Sequence, residues 1–388
     1  MPDRETHRRR LLEIFHAGLA AVEGGRRVEA WLSGHPLAGP VWLLALGKAA
    51  AAMAEGARRV LGDAIRDGLV VTQAGAGRPL PWPVLVGGHP VPDRRSLAAG
   101  RRVLAFVDAL PADARVLCLL SGGASALVEA PAQGVGLELL AALNRWILAS
   151  GMDIRQANRL RASLSRIKGG RLAARLAPRP VTALALSDVP GDDPATIGSG
   201  PLTPPEDPPP PCRPGGGLAG HPVHIIGTNG DARRAMGAAA GDYRVVEHRE
   251  PLTGPVEGAV RRIATALEAA PPGTLGIYGG ETTVRLPARP GRGGRCQHLA
   301  LGVARALAGT GGWLLLAAGS DGADGPGGDA GALVDGRTVA RGEAAGLDAG
   351  ASLAAADSGR FLAASGDLLH TGPTGTNVMD LVLALRWG

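Results

Sequence analysis

Short apolar runs, each leading into a glycine-rich turn and then into a helical stretch, recur along the whole chain. These runs occupy residues 41–46, 116–120, 181–186, 223–226, 275–278 and 314–317. Apolar strands that alternate with helices predict an α/β protein with parallel sheets covered on both faces. In such sheets ligands bind beyond the carboxyl ends of the strands, so the glycine-rich turns are candidate binding sites.

A proline- and glycine-rich segment at residues 201–217 interrupts this alternation and includes Pro208 to Pro211. Such a composition is typical of a surface loop with semi-extended backbone. A chain of 388 residues is long enough for two domains. We therefore expect the domain boundary in this segment or after the next helix, near Gly241, which gives domains 1–241 and 242–388.

The composition indicates a globular protein and disfavours nucleic acid and membrane partners. Hydrophobic residues make up 45% of the chain and charged residues 20%. The net charge is +6, but the arginines are scattered and only 3% of residues are aromatic, which is unlike a nucleic-acid-binding surface. The apolar stretch at residues 11–22 is interrupted by Glu13 and His16, so it predicts an amphipathic helix rather than a signal peptide. No stretch approaches the ~20 apolar residues of a membrane-spanning helix.

The three cysteines, Cys118, Cys212 and Cys296, are too few and too scattered for a disulfide framework or a metal cluster. This usage fits a reducing compartment. The expected location of the protein is therefore the cytoplasm.

Only two of the 41 basic residues are lysines, Lys48 and Lys168. The others are arginines, so the two lysines indicate positions that need a compact ammonium rather than a planar guanidinium, with chance as the alternative. Lys48 directly follows the first apolar run and Gly47, which favours a functional role. Lys168 is explained equally well as a cation at the end of a helix.

Two glycine-rich turns have the composition of anion-binding loops. Residues 121–125 (Ser-Gly-Gly-Ala-Ser) follow an apolar run and precede a helical stretch, so free backbone N–H groups could face a phosphate or a carboxylate. Residues 279–283 (Gly-Gly-Glu-Thr-Thr) look similar and add a carboxylate and two hydroxyls. Tight turns that need a positive φ explain the glycine pairs equally well.

Two acidic segments also follow predicted strands. They hold Asp188, Asp192, Asp193, Asp321, Asp324 and Asp329. Carboxylates near phosphate-binding loops often hold Mg²⁺ bridged to a nucleotide, and one could accept the proton of an attacking hydroxyl. A single aspartate in a glycine-rich segment is also common turn chemistry, so this prediction rests on the clusters.

Two common nucleotide-binding signatures are missing from the sequence. No glycine loop ends in Gly-Lys-Ser or Gly-Lys-Thr, as a Walker sequence does. Residues 227–232 (Gly-Thr-Asn-Gly-Asp-Ala) lack the three-glycine spacing of a dinucleotide fingerprint. The residues therefore give little support to a nicotinamide-dependent enzyme.

Ordered motifs cover residues 46–381. They are LGKAAAAMA from Leu46, GGHPVPD from Gly87, LLSGGASALVEAP from Leu119, DIRQANRLRASLSRIKGGRLA from Asp153, LSDVPGDDPATIGSGP from Leu186, GGETTV from Gly279, GGRCQHLAL from Gly293, AAGSDGADGPGGDAGA from Ala317 and TGPTGTNVMDL from Thr371. Taken together, these motifs resemble the type II glycerate kinase family with its C-terminal MOFRL domain.

The resemblance implies an ATP- and Mg²⁺-dependent transfer of the γ-phosphate to glycerate, usually at its 2-hydroxyl. It also implies a Rossmann-like doubly wound domain, a smaller C-terminal α/β MOFRL domain and an active site in the cleft between them. The family's catalytic lysine and arginine fall on Lys48 and Arg295. Cationic groups at the transferred phosphate suit this chemistry, because phosphoryl transfer depends mainly on positioning and electrostatic stabilisation.

On this basis we expect glycerate between Lys48 and the 121–125 turn, and the nucleotide phosphates near residues 279–282 and Arg295. The predicted catalytic residues are Lys48, Arg295 and Asp188. The predicted substrate-binding residues are Ser121, Gly122, Gly123, Ser125, Asn158, Lys168 and Asn377. The predicted nucleotide-binding residues are Gly279, Gly280, Glu281 and Thr282, and the predicted metal ligands are Asp193 and Asp321.

Two places depart from the family pattern. Residues 293–298 read Gly-Gly-Arg-Cys-Gln-His, where the family usually has Gly-Gly-Arg-Asn-Gln-Glu. Met379 precedes Asp380, where the family usually has asparagine. Cys296 and His298 cannot reproduce an amide and a carboxylate, so we expect a changed hydrogen bond or charge near Arg295.

Several hypotheses follow from the sequence. The first is a glycerate 2-kinase that gives 2-phosphoglycerate, or a kinase of a related sugar acid. The second is an NAD(P)H-dependent hydroxypyruvate reductase, a name that some relatives have carried. The third is a diverged member that binds a sugar acid or nucleotide without catalysis. The expected partner is a small hydroxy acid, and the sequence leaves a homodimer open.

Overall fold

The computed structural model describes residues 3–150, 152, 154–205 and 220–388, with the side chains at 148–150, 154 and 155 left out. The predicted loop at 201–217 lies mostly outside these residues, as do Pro208 to Pro211 and Cys212. The chain divides into two compact units. The parallel-sheet unit comprises Val22–Thr228 and Gly375–Val378, and the mixed-sheet unit comprises Met1–Ala21, Asn229–Thr374 and Met379–Gly388.

The parallel-sheet unit contains a six-stranded sheet in the order β3-β2-β1-β4-β5-β6, with every pair parallel. Its strands are β1 (Val41–Leu46), β2 (Ile65–Thr72), β3 (Val84–Val86), β4 (Arg115–Leu120), β5 (Val181–Leu186) and β6 (Val223–Gly227). Its helices are α2 (Gly24–Gly34), α3 (Ala50–Leu61), α4 (Arg94–Asp108), α5 (Ala124–Leu127), α6 (Leu137–Ser150), α7 (Ile154–Ser163) and α8 (Arg171–Leu176). This is the strand order of a doubly wound Rossmann-type sheet, so the predicted fold class is confirmed.

Both faces of this sheet are buried because successive side chains of a strand point to opposite faces. Leu44 and Leu46 of β1 pack in one core cluster with residues of α4, such as Val103. Leu43 of β1 packs in a second cluster with residues of α3, such as Met53. The continuous apolar strands of the sequence therefore reflect a sheet with helices on both sides.

The mixed-sheet unit contains a seven-stranded sheet in the order β12-β11-β10-β13-β9-β7, with β8 also paired to β9. Its strands are β7 (Arg244–Glu247), β8 (Leu252–Pro255), β9 (Thr274–Thr283), β10 (Trp313–Gly319), β11 (Gly331–Asp335), β12 (Leu368–Leu369) and β13 (Asp380–Arg386). Its helices are α1 (Arg4–Ala21), α9 (Asn229–Ala238), α10 (Val256–Ala269), α11 (Arg295–Ala306), α12 (Thr338–Ala344), α13 (Ala349–Ala354) and α14 (Ser358–Ser365).

The prediction of parallel strands was wrong for most of this second sheet. Strand β13 lies between β9 and β10 and is antiparallel to both, and β10 is antiparallel to β11. Among the described strands of this sheet, only the hydrogen-bonded pairs β7–β9 and β8–β9 are parallel. The sequence could not reveal this, because a strand buried on both faces is equally apolar in either direction.

The division between the units differs from the expected boundary near Gly241. Helix α9 starts at Asn229 and belongs to the mixed-sheet unit, together with the N-terminal helix α1. The two helices approach closely, since a Cβ on Gly18 would lie 2.6 Å from Cγ of Met236. The unit is therefore assembled from three separate stretches of the chain. Among the residues that the structure describes, no helix is long and apolar enough to cross a membrane.

Candidate active site

The sheet of the parallel-sheet unit reverses its direction of winding between β1 and β4. Ligands of such folds bind where the strand order reverses, beyond the carboxyl ends of the strands. Leu46 at the end of β1 pairs with Leu120 at the end of β4. The turn that carries Lys48 and the 121–125 turn therefore leave the sheet side by side, as the sequence-based hypothesis requires.

Backbone and hydroxyl contacts join these two turns. The Lys48 N–H donates to the Gly122 carbonyl at 2.9 Å, and the Ala49 N–H donates to Oγ of Ser121 at 3.0 Å. Gly47 has φ 126°, and a Cβ there would overlap the Ser121 carbonyl. Ser121 is fully buried, so its hydroxyl positions the Lys48 turn.

The side chain of Lys48 lies across Gly123. A Cβ on Gly123 would lie 2.9 Å from Cγ of Lys48 and 3.2 Å from its Cε, and Gly123 has φ 83°. Both the space and the backbone conformation therefore require glycine here. Within the described part of the chain, the backbone N–H groups of Gly122, Gly123 and Ala124 donate no hydrogen bond. An ammonium and unused N–H groups thus meet at one turn, which is the composition of an anion site.

A carboxylate and an amide lie over the neighbouring glycine. A Cβ on Gly122 would overlap both the Asp188 carboxylate and the Asn377 amide. Nδ2 of Asn377 donates to Oδ2 of Asp188 at 3.2 Å and so orients that carboxylate. Asp188 follows β5, whereas Asn377 comes from the short segment Gly375–Val378 near the end of the chain. The structure therefore brings together residues that are far apart in the sequence.

Ser125 and Asn158 belong to a polar network next to this turn. Oγ of Ser125 lies 2.7 Å from Oγ of Ser199, which donates to Oδ1 of Asn158 at 2.9 Å. Nδ2 of Asn158 donates to the Thr196 carbonyl at 3.1 Å. Asn158 and Ser199 are buried, so their bonds link α5 and α7 to the segment after β5. The side chains of Ser125 and Asn158, both predicted to bind substrate, thus form hydrogen bonds within the protein.

Asp193 makes local turn bonds. Its carboxylate accepts the Ala195 N–H at 3.0 Å and the Thr196 hydroxyl at 3.1 Å. These are the bonds of a turn-forming aspartate, which was the alternative weighed from the sequence. The metal role of Asp193 stays a prediction.

Lys168 lies in the protein interior. Its side chain is 1% exposed, and Nζ bonds to Oε2 of Glu129 and to the Val128 carbonyl. Burial lowers the pKa of Lys168, and the Glu129 carboxylate opposes that shift. In this structure the ammonium neutralises a buried carboxylate, which explains a lysine here without a substrate.

In the mixed-sheet unit, residues 279–282 do not form the turn that the sequence suggested. Gly279, Gly280, Glu281 and Thr282 continue β9, and Gly280 pairs with Asp380 of β13 and with Leu252 of β8. The expectation that a strand ends here and a helix begins was therefore wrong. Glycine is required for space, because a Cβ on Gly279 would overlap the Asn229 side chain. At Gly280, φ is 128° and a Cβ would lie 2.5 Å from the Leu252 carbonyl.

Arg295 begins α11 and is oriented by two carboxylates. Its Nε donates to Oδ2 of Asp380 at 2.6 Å, and Nη2 donates to Oδ1 of Asp380 at 3.2 Å and to Glu281. Its Nη1 has no hydrogen-bond partner among the described residues. The guanidinium is therefore held with one nitrogen left for another acceptor. The predicted Arg295 and Glu281 are thus in direct contact.

Asp324 fixes the first turn of α11, although the sequence analysis gave it no specific role. Its carboxylate accepts the N–H groups of Cys296 and Gln297 at 3.0 Å and 2.8 Å. Nε2 of Gln297 donates back to the Asp324 carbonyl at 2.8 Å. Burial raises the pKa of Asp324 to about 7; Asp380 adds to the shift, whereas the two N–H donors and Arg295 oppose it. No sequence signal indicated that Asp324, which lies in a glycine-rich loop, would accept hydrogen bonds from the first turn of α11.

Asp321, the other predicted metal ligand, lies in a turn of the mixed-sheet unit. Asp321 is 6% exposed and accepts the Ala323 N–H at 3.0 Å, which is a turn bond. Among the residues that the structure describes, no group of three histidine, cysteine, aspartate or glutamate side chains could hold a metal ion. Protein carboxylates alone therefore form no metal cage within the described residues.

The sequence departures have local structural explanations. Cys296 is 1% exposed, and burial raises the pKa of its thiol, with Asp380 and Asp324 adding to the shift; it is therefore a buried thiol beside the carboxylate that holds Arg295. Met379 has φ 68°, a left-handed conformation that asparagine tolerates far better than methionine. The usual asparagine of the family would fit that backbone with less strain.

Two further residues of the site were not among those predicted. Asp380 holds Arg295, and its carbonyl accepts Nδ2 of Asn229 at 3.0 Å. Asn229 starts α9 and is 6% exposed. The sequence signal for Asp380 was its place at the end of the last motif, but its partner could be identified only from the sheet register.

Comparisons with known proteins cover nearly the whole chain. Residues 10–212 match the family DUF4147, described as a domain of unknown function, and residues 274–380 match the MOFRL family. A D-glycerate 2-kinase from Thermotoga maritima is 38% identical over 99% of this chain and 100% of its own length. A protein from Agrobacterium vitis, provisionally named a hydroxypyruvate reductase, is 35% identical over 96% of this chain and 92% of its own. The crystal structure of a glycerate kinase from Thermotoga maritima has a TM-score of 0.83 and 37% identity, covering 98% of this chain and 100% of that one.

Proposed function

The chain belongs to the glycerate kinase family with a C-terminal MOFRL domain, and from that premise we propose that it is a D-glycerate 2-kinase. The proposed reaction transfers the γ-phosphate of ATP to the 2-hydroxyl of D-glycerate and gives 2-phosphoglycerate and ADP. The hydroxyl oxygen forms a bond to the γ-phosphorus as the bond to the bridging oxygen of ADP breaks.

The observation that carries this proposal is the arrangement around Gly122 and Gly123. Lys48 lies across Gly123, while Asp188 and Asn377 lie over Gly122, at the point where the strand order reverses. An ammonium beside unused N–H groups suits the carboxylate of glycerate or a transferred phosphoryl group. A carboxylate next to them suits a substrate hydroxyl.

In the proposed mechanism, Asp188 accepts the proton of the 2-hydroxyl as its oxygen attacks. Asn377 holds the carboxylate by its hydrogen bond to Oδ2. Lys48 stabilises the negative charge of the migrating phosphoryl group. These residues position reactants and compensate charge, which is most of what phosphoryl transfer asks of a protein.

The residues present are compatible with a magnesium ion that is bound mainly by the phosphates of the nucleotide. Mg²⁺ usually keeps several waters and uses one or two carboxylates together with substrate phosphates, so it needs no cage of protein ligands. Bound to ATP, it would neutralise phosphate charge. Asp188 is the best-placed carboxylate of the parallel-sheet unit, while Asp193 and Asp321 remain proposed ligands whose carboxylates already make turn bonds.

Arg295 is the second proposed cation. Asp380 and Glu281 hold its guanidinium, and Nη1 is the nitrogen proposed to meet a phosphate or carboxylate oxygen. Residues 279–282 are strand residues and form no anion-binding turn. Of these four, only Glu281 and Thr282 have side chains, so the proposed nucleotide contacts fall to those two. Ser125, Asn158 and Lys168 are better explained as residues that hold the substrate turn and its surroundings.

The reaction is tested by measuring ADP release with D-glycerate and MgATP, followed by phosphorus NMR of the product. We expect ADP release that depends on D-glycerate and a 2-phosphate product. A 3-phosphate product would contradict the proposed regiochemistry. No release with D-glycerate, together with turnover of a longer sugar acid, would contradict the proposed substrate.

The Rossmann-type strand order is one observation that favours the alternative, an NAD(P)H-dependent hydroxypyruvate reductase. In dinucleotide-binding folds the turn after the first strand receives the pyrophosphate. Here the N–H groups of that turn are already used: Gly47 donates to the Val71 carbonyl, Lys48 to Gly122 and Ala49 to Ser121. We therefore expect no oxidation of NADH or NADPH with hydroxypyruvate, measured by nicotinamide absorbance.

A further inference from the structure

A groove of about 590 Å³ lies in the mixed-sheet unit between helices α10, α11 and α13. Its size falls within the range of about 300–1,000 Å³ that is usual for small-molecule sites. Each helix contributes one face, with residues spaced three or four apart, such as His298, Gly302 and Ala306 of α11. None of the groove residues belongs to the active site described above.

The floor of the groove is apolar. Val256 of α10 is buried, and Val260 and Leu353 line the groove beside it. The helices α10 and α11 approach closely at Gly302, where a Cβ would lie 2.6 Å from Cγ2 of Val260. This close approach brings the apolar side chains of the two helices together below the opening.

Three nitrogen-bearing side chains of the groove have no hydrogen-bond partner among the residues that the structure describes. The guanidinium groups of Arg261 and Arg305 form no hydrogen bond or ion pair with the residues that the structure describes. Nδ1 of His298 is buried and likewise has no hydrogen-bond partner among those residues. The carboxylate of Glu257 also lines the groove, and Oδ1 of Asp348 lies 3.3 Å from the position of a Cβ on Gly350. The guanidinium of Arg305 lies against α13, with Cζ 3.4 Å from the position of a Cβ on Gly350.

We propose that this groove binds an amphiphilic carboxylate, a small molecule whose apolar body packs on Val260 and Leu353 and whose carboxylate meets Arg261 and Arg305. Unpaired guanidinium groups are the strongest carboxylate donors in proteins, because they offer two N–H groups in one plane. Burial lowers the pKa of His298, and the Glu257 carboxylate opposes that shift, so the neutral form of the ring is favoured beside the ligand.

The residue at position 298 matters for the charge of the groove, and histidine adds no carboxylate there. A glutamate there would place a second carboxylate beside Glu257 and repel an anionic ligand. The sequence analysis expected the effect of His298 near Arg295, whereas in the structure His298 lines this groove.

The test uses octanoate and its neutral counterpart octanamide, titrated into the full-length protein by calorimetry. We expect octanoate to bind and octanamide to bind at least about tenfold more weakly, since the charged contacts are worth more than 1.4 kcal/mol. The double variant Arg261→Ala/Arg305→Ala and the variant His298→Glu should each weaken octanoate binding at least about tenfold. Arg360→Ala, an exposed arginine of α14 outside the groove, is the matched control and should bind as the wild type does.

Equal affinity for octanoate and octanamide, or unchanged affinity in the groove variants, would overturn the proposal, as would no binding at millimolar concentrations. Hydrogen exchange should show protection by octanoate in α10, α11 and α13, and protection elsewhere alone would also contradict it. ADP release by each variant provides the check on folding. The calorimetric result does not depend on the substrate, so a failure of the proposed kinase reaction remains distinguishable from a failure of the groove.

Discussion

Lys48 is held in place by its backbone and by the glycine beneath its side chain, so its role can be tested without disturbing the fold. We expect Lys48→Ala to lower kcat by about 100- to 1,000-fold, because it removes a charge that stabilises the transition state. The free energy of unfolding should change by less than about 1 kcal/mol, since the side chain is only partly buried. Lys48→Arg keeps the charge and should recover only part of the rate. A near-wild-type kcat for Lys48→Ala would contradict the proposed role.

Gly122 gives a second test at the scale of one residue. A methyl group there would overlap the Asp188 carboxylate and the Asn377 amide, so Gly122→Ala must displace both. We expect kcat to fall by at least about tenfold, as misplacement of catalytic groups commonly causes. Gly77→Ala is the matched control, because nothing lies within 4 Å of a Cβ there. Equal kcat values for the two variants would show that Asp188 does not act where we propose.

The sequence predicted the structural setting of a residue well where that setting was local, and poorly where it depended on distant partners. Lys48, Gly122 and Gly123 were recognisable because each lies in a turn directly after an apolar strand. Lys168 has a buried partner 39 residues away, Glu129, which no local pattern reveals. The rarity of lysine correctly marked a special position, but the cause is a buried ion pair.

At the scale of elements, the strands were recognisable in position but not in direction. The predicted runs at 41–46 and 181–186 coincide with β1 and β5. Strand β9, however, extends to Thr283. Gly279 and Gly280 do not end the strand; they leave space for the close approach of Asn229 and Leu252. A glycine pair has the same composition in both cases, so sequence alone could not separate a turn from a tightly packed strand.

Helix α11 is the element that carries Arg295, and Asp324 makes its first turn sensitive to pH. The pKa of Asp324 is about 7 in the folded protein, against about 3.9 in an unfolded chain. The folded state therefore binds this proton more tightly, so this group's contribution to stability falls as the pH rises from about 4 to about 7 and is constant above that. The slope is at most about 1.4 kcal/mol per pH unit.

The variant Asp324→Asn tests this pH dependence, because an amide cannot titrate. We expect the variant to be least stable relative to the wild type near pH 4 and to lose part of that disadvantage by about pH 8. Urea unfolding followed across this range gives the free energies of both proteins. A constant difference between the two would mean that Asp324 does not change its protonation state.

At the scale of the whole molecule, the chain begins in the mixed-sheet unit, passes into the parallel-sheet unit and then returns. Helix α1 belongs to the mixed-sheet unit because it packs against α9 of that unit. Its Arg8 also donates a hydrogen bond to the Leu333 carbonyl at 3.0 Å. The sequence-based boundary at Gly241 assigned both α1 and α9 to the first domain. The amphipathic pattern of α1 indicates that one face packs against another element, but the pattern does not identify that element.

A substitution of Phe15 in α1 can test whether this helix stabilises the mixed-sheet unit alone. Phe15 is fully buried, and α1 is followed directly in the sequence by α2 of the other unit. Phe15→Ala should cost about 3–5 kcal/mol, because it opens a cavity in the core. By hydrogen exchange we expect faster exchange in α9 and β13 of the mixed-sheet unit, with little change in β1 and β4. Glu13→Ala changes an exposed side chain of the same helix and should leave both units unaffected. Equal acceleration in β1 and β4 would mean that the two units unfold together and that α1 does not stabilise one of them selectively.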